Sequence, residues 1–142
     1  MSLALLKNAD QSGIYFLPAS RQATIKAACN RLHFKVLTAD IAEHSTAEKV
    51  LYQLGSALDF PIWYGANFDA LFDCLTDPDW HPAKGHVLMI NGISRLRTAD
   101  PDDFATLIEV FKAAAEARRD MQTPFWILID SPARGIPSFP KA

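Results

Sequence analysis

Two runs in the chain are apolar at nearly every position, and they limit the folds available to it. Neither His86-Val87-Leu88-Met89-Ile90 nor Phe125-Trp126-Ile127-Leu128-Ile129 alternates apolar with polar residues. Strands made from them must be covered on both faces, the condition of a parallel sheet lined by helices. The segment between them supplies one such helix. Asp100-Pro101-Asp102-Asp103 is a start signal, with a capping side chain, proline at the first helical position and acidic residues against the dipole. Behind it runs an apolar stripe of Phe104, Leu107, Ile108, Phe111 and Ala115, and Arg118 and Arg119 suit the negative end of the dipole.

The same alternation extends upstream. Gly13 to Leu17 is a short β-rich run closed by Pro18, and Ser20 can cap a helix carrying Ile25, Ala28, Cys29 and Leu32 on one face. Phe34 to Ile41 is the next strand candidate. Ser45-Thr46-Ala47-Glu48 is a capping-box signature ahead of the stripe Val50, Leu51, Leu54 and Leu58. Strands separated by helices predict an α/β fold, a small, mostly parallel sheet of about four strands packed with helices. The expectation is a single domain over residues 1–142, with the Pro-rich tail 131–142 loosely held.

Composition removes several function classes. A chain that is 49% apolar with a net charge of -2 is neither disordered nor a general nucleic-acid binder. No run approaches the ~20 apolar residues that span a bilayer, so no membrane partner is expected. Cys29 and Cys74 show no pairing pattern, and a reducing, cytoplasmic setting is the expectation. Gly-rich phosphate loops and a Gly-x-Ser-x-Gly elbow are absent. His33, His44, His81 and His86 lie in no metal-ligand spacing and read as surface or strand-end residues, and Cys74 reads as a small core residue. No catalytic residue, metal site or cofactor is expected.

The segment from Phe60 to Trp80 breaks the pattern. No Lys or Arg occurs between Lys49 and Lys84, yet the stretch holds Asp59, Asp69, Asp73, Asp77 and Asp79. Asn67 is the natural cap of a short helix over about 68–76, with Leu71 and Leu75 facing the core and Pro78 ending it. Asp69 and Asp73 then share one face, a like-charged pair costing about 0.2–0.5 kcal/mol with no lysine to offset it. Asp69 is explained as a first-turn residue facing the helix dipole, whereas Asp73 is not. Trp63, Tyr64 and Phe72 stand beside them. Rigid aromatics next to carboxylates are the composition of a hot spot aimed at a cationic partner. On residue types alone, a solvated acidic helix with Phe72 half-buried explains the same residues equally well.

Phe60-Pro61-Ile62-Trp63-Tyr64-Gly65-Ala66-Asn67-Phe68-Asp69-Ala70-Leu71-Phe72-Asp73-Cys74-Leu75-Thr76 resembles the signature segment of the barstar family of ribonuclease inhibitors, and the likeness extends over about residues 34–130. The strand–helix unit at about 10–33 lies outside it. The resemblance implies an inhibitor, not an enzyme, that inserts this loop and helix into the phosphate-binding site of a basic, barnase-like ribonuclease, its carboxylates mimicking RNA phosphates. It implies partner-binding roles for Trp63, Tyr64, Gly65, Asn67, Asp69, Phe72 and Asp73, with Asp73 the principal anchor. Trp63 and Phe72 replace the family's tyrosine and tryptophan, and Ala113 stands where the family has a last-helix glutamate that Glu116 is a candidate to replace. Neither nucleic acid nor a cofactor is implied as a ligand, and a monomer is assumed. Two other readings remain at this point: an immunity-type interaction module for a different cationic toxin, and a carboxylate-dependent hydrolase using Asp69 and Asp73.

Overall fold

A computed structural model describes residues 3–141. Four strands, β1 (Ile14–Phe16), β2 (Lys35–Asp40), β3 (His86–Asn91) and β4 (Phe125–Ile129), form one sheet in the order β1-β4-β3-β2, with every pairing parallel. Six helices surround it: α1 (Leu3–Lys7), α2 (Gln22–Leu32), α3 (Ala47–Ala57), α4 (Phe68–Thr76), α5 (Ser94–Ala99) and α6 (Pro101–Asp120). The expected α/β class and mostly parallel sheet are what the chain forms.

The two central strands show why their sequences lack alternation. Leu88 and Ile90 of β3 and Phe125, Ile127 and Ile129 of β4 enter a core completed by α3, α4, α5 and α6. Val87, Met89, Trp126 and Leu128 point the other way, into a second core with Leu6 of α1 and Ile25, Ala28 and Cys29 of α2. Each face therefore has its own helical cover. The N-terminal strand–helix unit supplies the edge strand β1 and much of the second cover.

Helix ends follow local chemistry in most places. Asn67 Oδ1 accepts from the Ala70 amide at 2.7 Å, and Asp100 Oδ1 accepts from the Asp103 amide at 3.1 Å. Thr46, not Ser45, caps α3, its hydroxyl accepting from Lys49 N at 3.4 Å. The expected Ser20 cap is corrected. Residues Ala19–Arg21 form a 3-10 turn, and α2 starts at Gln22 without a side-chain cap. His33 takes a left-handed φ of 59° while Phe34 N donates back to Cys29 O, so this residue closes α2.

The tail also departs from expectation. Phe139 is 2% exposed, and its ring packs on Tyr15 and Trp126. Phe16 N donates to Pro137 O and Phe139 N donates to Phe16 O, both at 2.8 Å, while Arg21 donates to the carbonyls of Phe139 and Pro140. A buried aromatic and an unpaired strand edge hold residues 137–140 against the sheet. Ala142 lies outside the described residues.

Candidate functional site

The acidic segment is built on a rigid base. α3 ends in a left-handed turn at Asp59 (φ 55°), where Phe60 N donates to Gly55 O and Asp59 N to Ser56 O. Phe60 then packs edge-on against Tyr64 at 4.8 Å. The Tyr64 hydroxyl donates to Leu51 O at 2.7 Å, and its ring lies so close to Gly55 that a Cβ there would sit 2.5 Å from a ring carbon. Burial pushes the Tyr64 phenol well above its ordinary range, with the nearby Cys74 thiol adding to the shift. Gly55 thus allows the loop to lie against α3.

The other end is clamped from behind. Trp80 Nε1 donates to Leu58 O at 2.9 Å, and the Trp80 ring packs against Phe60. Arg118 is buried, donating from Nε to Leu75 O and from Nη2 to Asp77 O, with its guanidinium over the Phe125 ring. The sequence suggested that Arg118 serves the C-terminal end of α6. It instead neutralises the carbonyl end of α4, which has no basic residue in its own last turn. Burial lowers the Arg118 pKa, and Asp77 opposes that shift.

Between these anchors the outer surface is left open. Asp69 and Asp73 are exposed, four residues apart on α4, and among the described residues neither carboxylate has a hydrogen-bond or salt-bridge partner. Trp63 is 54% exposed and Ile62 is fully exposed, an uncommon placement for residues of that size on a short loop. Trp63, Gly65, Asn67, Phe68, Asp69 and Asp73 line one shallow groove of about 590 Å³. The two acids therefore border a concavity and are not on a simple convex face. Ala66 within the loop has φ 52°, a left-handed conformation that a residue with a Cβ adopts at some cost.

The seven residues singled out from the sequence separate into two groups. Trp63, Gly65, Asp69 and Asp73 are exposed with no internal polar commitment of their side chains. Asn67 is exposed, but its amide oxygen is engaged in capping α4. Tyr64 and Phe72 are half-buried and pack on the core, so their rings support the surface from beneath. Cys74 is buried, and burial together with the charges of Asp73 and Asp77 pushes its thiol up to about 11, which makes it an unreactive core residue. Glu116 lies across α6 from α4, lining a cavity with Ser12, Tyr15 and Pro137. It does not line the groove bordered by Asp69 and Asp73.

Gly55, Arg118 and Trp80 were not anticipated as determinants of the site. Their signals were present but weak: a glycine inside an amphipathic helix and an arginine in register with an apolar stripe. Among the described residues no three His, Cys, Asp or Glu side chains converge as a metal site, and no helix is long and apolar enough to cross a membrane.

Beside the clamped loop, this parallel α/β scaffold presents two carboxylates without partners among the described residues and one exposed aromatic, Trp63, residue types that concentrate in protein-binding surfaces. The profile of the barstar (barnase inhibitor) family matches residues 34–130, and the chain belongs to that family. The match spans β2 to β4 and includes the whole acidic segment. Residues before 34 and after 130, which cover the second face, lie outside it. No curated protein matches the chain.

Proposed function

We propose that this protein inhibits a basic, barnase-like ribonuclease by placing the 61–67 loop and α4 in its phosphate-binding site. The observation that carries the reading is the pair Asp69 and Asp73, both exposed, on one helix face, with no cation among the described residues paired to them. Desolvating two carboxylates costs several kcal/mol unless arginine or lysine meets them, so the complementary surface must hold paired cations. A ribonuclease site that grips successive phosphates has such a pair. Trp63 covers the rim of the nuclease groove, Gly65 lets the loop approach closely, and Asp73 is the principal anchor. Tyr64, Asn67 and Phe72 hold that surface in shape, with edges of their rings and amide available to the partner. The buried free thiols suit an intracellular site of action.

Capture of partners from the source cell at low and high salt tests this. Recovery of a ribonuclease, with salt-sensitive association and loss of RNA cleavage in the complex, is the expected result. A cationic partner without ribonuclease activity would replace the reading with an immunity-type module. Substrate turnover by the isolated chain, abolished by Asp69→Asn, would replace it with a hydrolase.

A further inference from the structure

The tail that closes the β1 edge leaves part of it open. Ile127 N donates to Gly13 O and Leu17 N donates to Ile129 O, a register that turns the backbone groups of Ile14 and Phe16 away from β4. At Phe16 the tail takes both groups, through Pro137 O and Phe139 N. The next step of that pairing would need an N–H from Pro137, which has none. The tail also bends there, with Gly135 at a left-handed φ of 78° and Ile136 N donating to Ala133 O. Among the described residues the N–H and C=O of Ile14 have no partner. Ile14 lines a cavity of about 260 Å³ enclosed by β1, the tail and α6.

The α6 side of this cavity carries Lys112, Glu116 and Arg119, spaced to lie on one helix face. Arg119 Nη2 donates to Ser12 O at 2.7 Å, but its Nε is buried and has no acceptor among the described residues. A buried donor left bare is costly and calls for a partner. Glu116 stands between the two cations yet pairs with neither among the described residues, and Lys112 has only a surface contact with Glu109 at 3.5 Å. We propose that this cavity binds an acidic α-amino acid, L-glutamate or L-aspartate. Two carboxylates and one ammonium are the complement of two cations and one carboxylate. Arg119 reaches Ser12, just ahead of Ile14, and this sets the order of groups along the cavity. The α-carboxylate accepts from Arg119 Nε and the Ile14 N–H, the ammonium donates to Glu116 and the Ile14 C=O, and the side-chain carboxylate meets Lys112. Neither a plain diacid nor a neutral amino acid answers all three charges. This inference uses none of the residues assigned to ribonuclease binding and stands or falls apart from that reading.

Calorimetric titration of the full chain with L-glutamate and with L-aspartate, at low ionic strength, tests it. At least one of the two should bind with a Kd below about 1 mM and raise the thermal midpoint. The diacids glutarate and succinate, which lack the ammonium, and the amides L-glutamine and L-asparagine, which lack the second carboxylate, should bind about tenfold or more weakly. The Ile14 amide should gain protection from exchange when the amino acid is present. Lys112→Gln and Arg119→Gln should each weaken binding about tenfold or more, and Glu116→Gln should remove the preference for the amino acid over its diacid. If Arg119→Gln fails to fold, Lys112→Gln decides alone. Failure of both amino acids to bind with a Kd below about 1 mM overturns the proposal. So does a diacid that binds the wild-type chain as tightly as its amino acid, which would make the cavity a plain anion site. Binding that Lys112→Gln leaves unchanged overturns it as well.

Discussion

α4 and α6 pack against each other in the same core, yet they obey local rules to different degrees. α6 follows them along nearly its whole length: Asp100 caps it, Pro101 opens it, Asp102 and Asp103 face the positive end of its dipole, and its apolar stripe is buried, although desolvation and the charges of Asp100 and Asp102 push the Asp103 carboxyl up. α4 follows them only on its inner side. Asn67 caps it and Leu71, Cys74 and Leu75 are buried, but Asp73 repels Asp69, and the end of the helix borrows Arg118 from α6. Where every local choice agrees with the fold, a helix is there for stability. Where one choice works against the helix with no internal compensation, it fits the proposed role of that face in meeting a cationic partner.

If that distinction is right, changes on the two helices must separate binding from stability. The largest effect is expected from Asp73→Ala. Ribonuclease inhibition should weaken by about 4 kcal/mol, roughly a thousandfold, since the partner's cation is left buried and unpaired. Thermal unfolding of the same variant should show a gain of about 0.2–0.5 kcal/mol from the relieved repulsion. Undiminished inhibition would erase the contrast between the helices.

Next in size is an acid effect beneath the clamp. His86 is buried, its ring stacked on Trp80, its Nε2–H donating to His81 O at 2.6 Å and its Nδ1 without a partner. Burial, assisted by the charge of Arg118, lowers its pKa from 6.5 to about 4. The folded state keeps the ring neutral while the unfolded chain takes up a proton below pH 6.5. Stability is therefore whole at neutral pH and falls as pH drops from 6.5 toward 4, by about 3 kcal/mol. Chemical denaturation across that window should show the slope, and His86→Leu should flatten it.

Arg118→Met sharpens the comparison further. It leaves the carbonyls of Leu75 and Asp77 without their charged donor and should cost about 2 kcal/mol in urea unfolding. The folded variant should still inhibit. Asp100→Ala is the smallest change: loss of a cap worth about 1 kcal/mol, seen in thermal melts, with inhibition untouched.

The difference between the helices was partly legible in the residues themselves. The sequence marks β4 at its observed bounds because five apolar residues in succession admit few alternatives. The α4 cap and its like-charged pair were visible because both are local. α5 went unread because it offers one buried residue, Leu96, in a single short turn sequence with no opening cap. Tyr64 was counted as a contact residue. Its hydroxyl bond to Leu51 O and its fit against Gly55 arise only when α3 and the loop meet. The prolines of the tail suggest a loose segment, whereas the groups that hold it, Phe16 and Trp126, are far away in sequence. Local chemistry could be read from sequence, and long-range pairing could not.

The burial of Phe139 carries a consequence for how the molecule is made. Leu6, Tyr15 and Trp126 share a surface that Phe139 closes, so residues near the start of the chain wait for partners synthesised more than a hundred residues later. While the ribosome is still at work, that face is open, oily and without its lid. Newly made chains should therefore pass through a period of chaperone dependence that ends when residues 137–139 clear the exit tunnel.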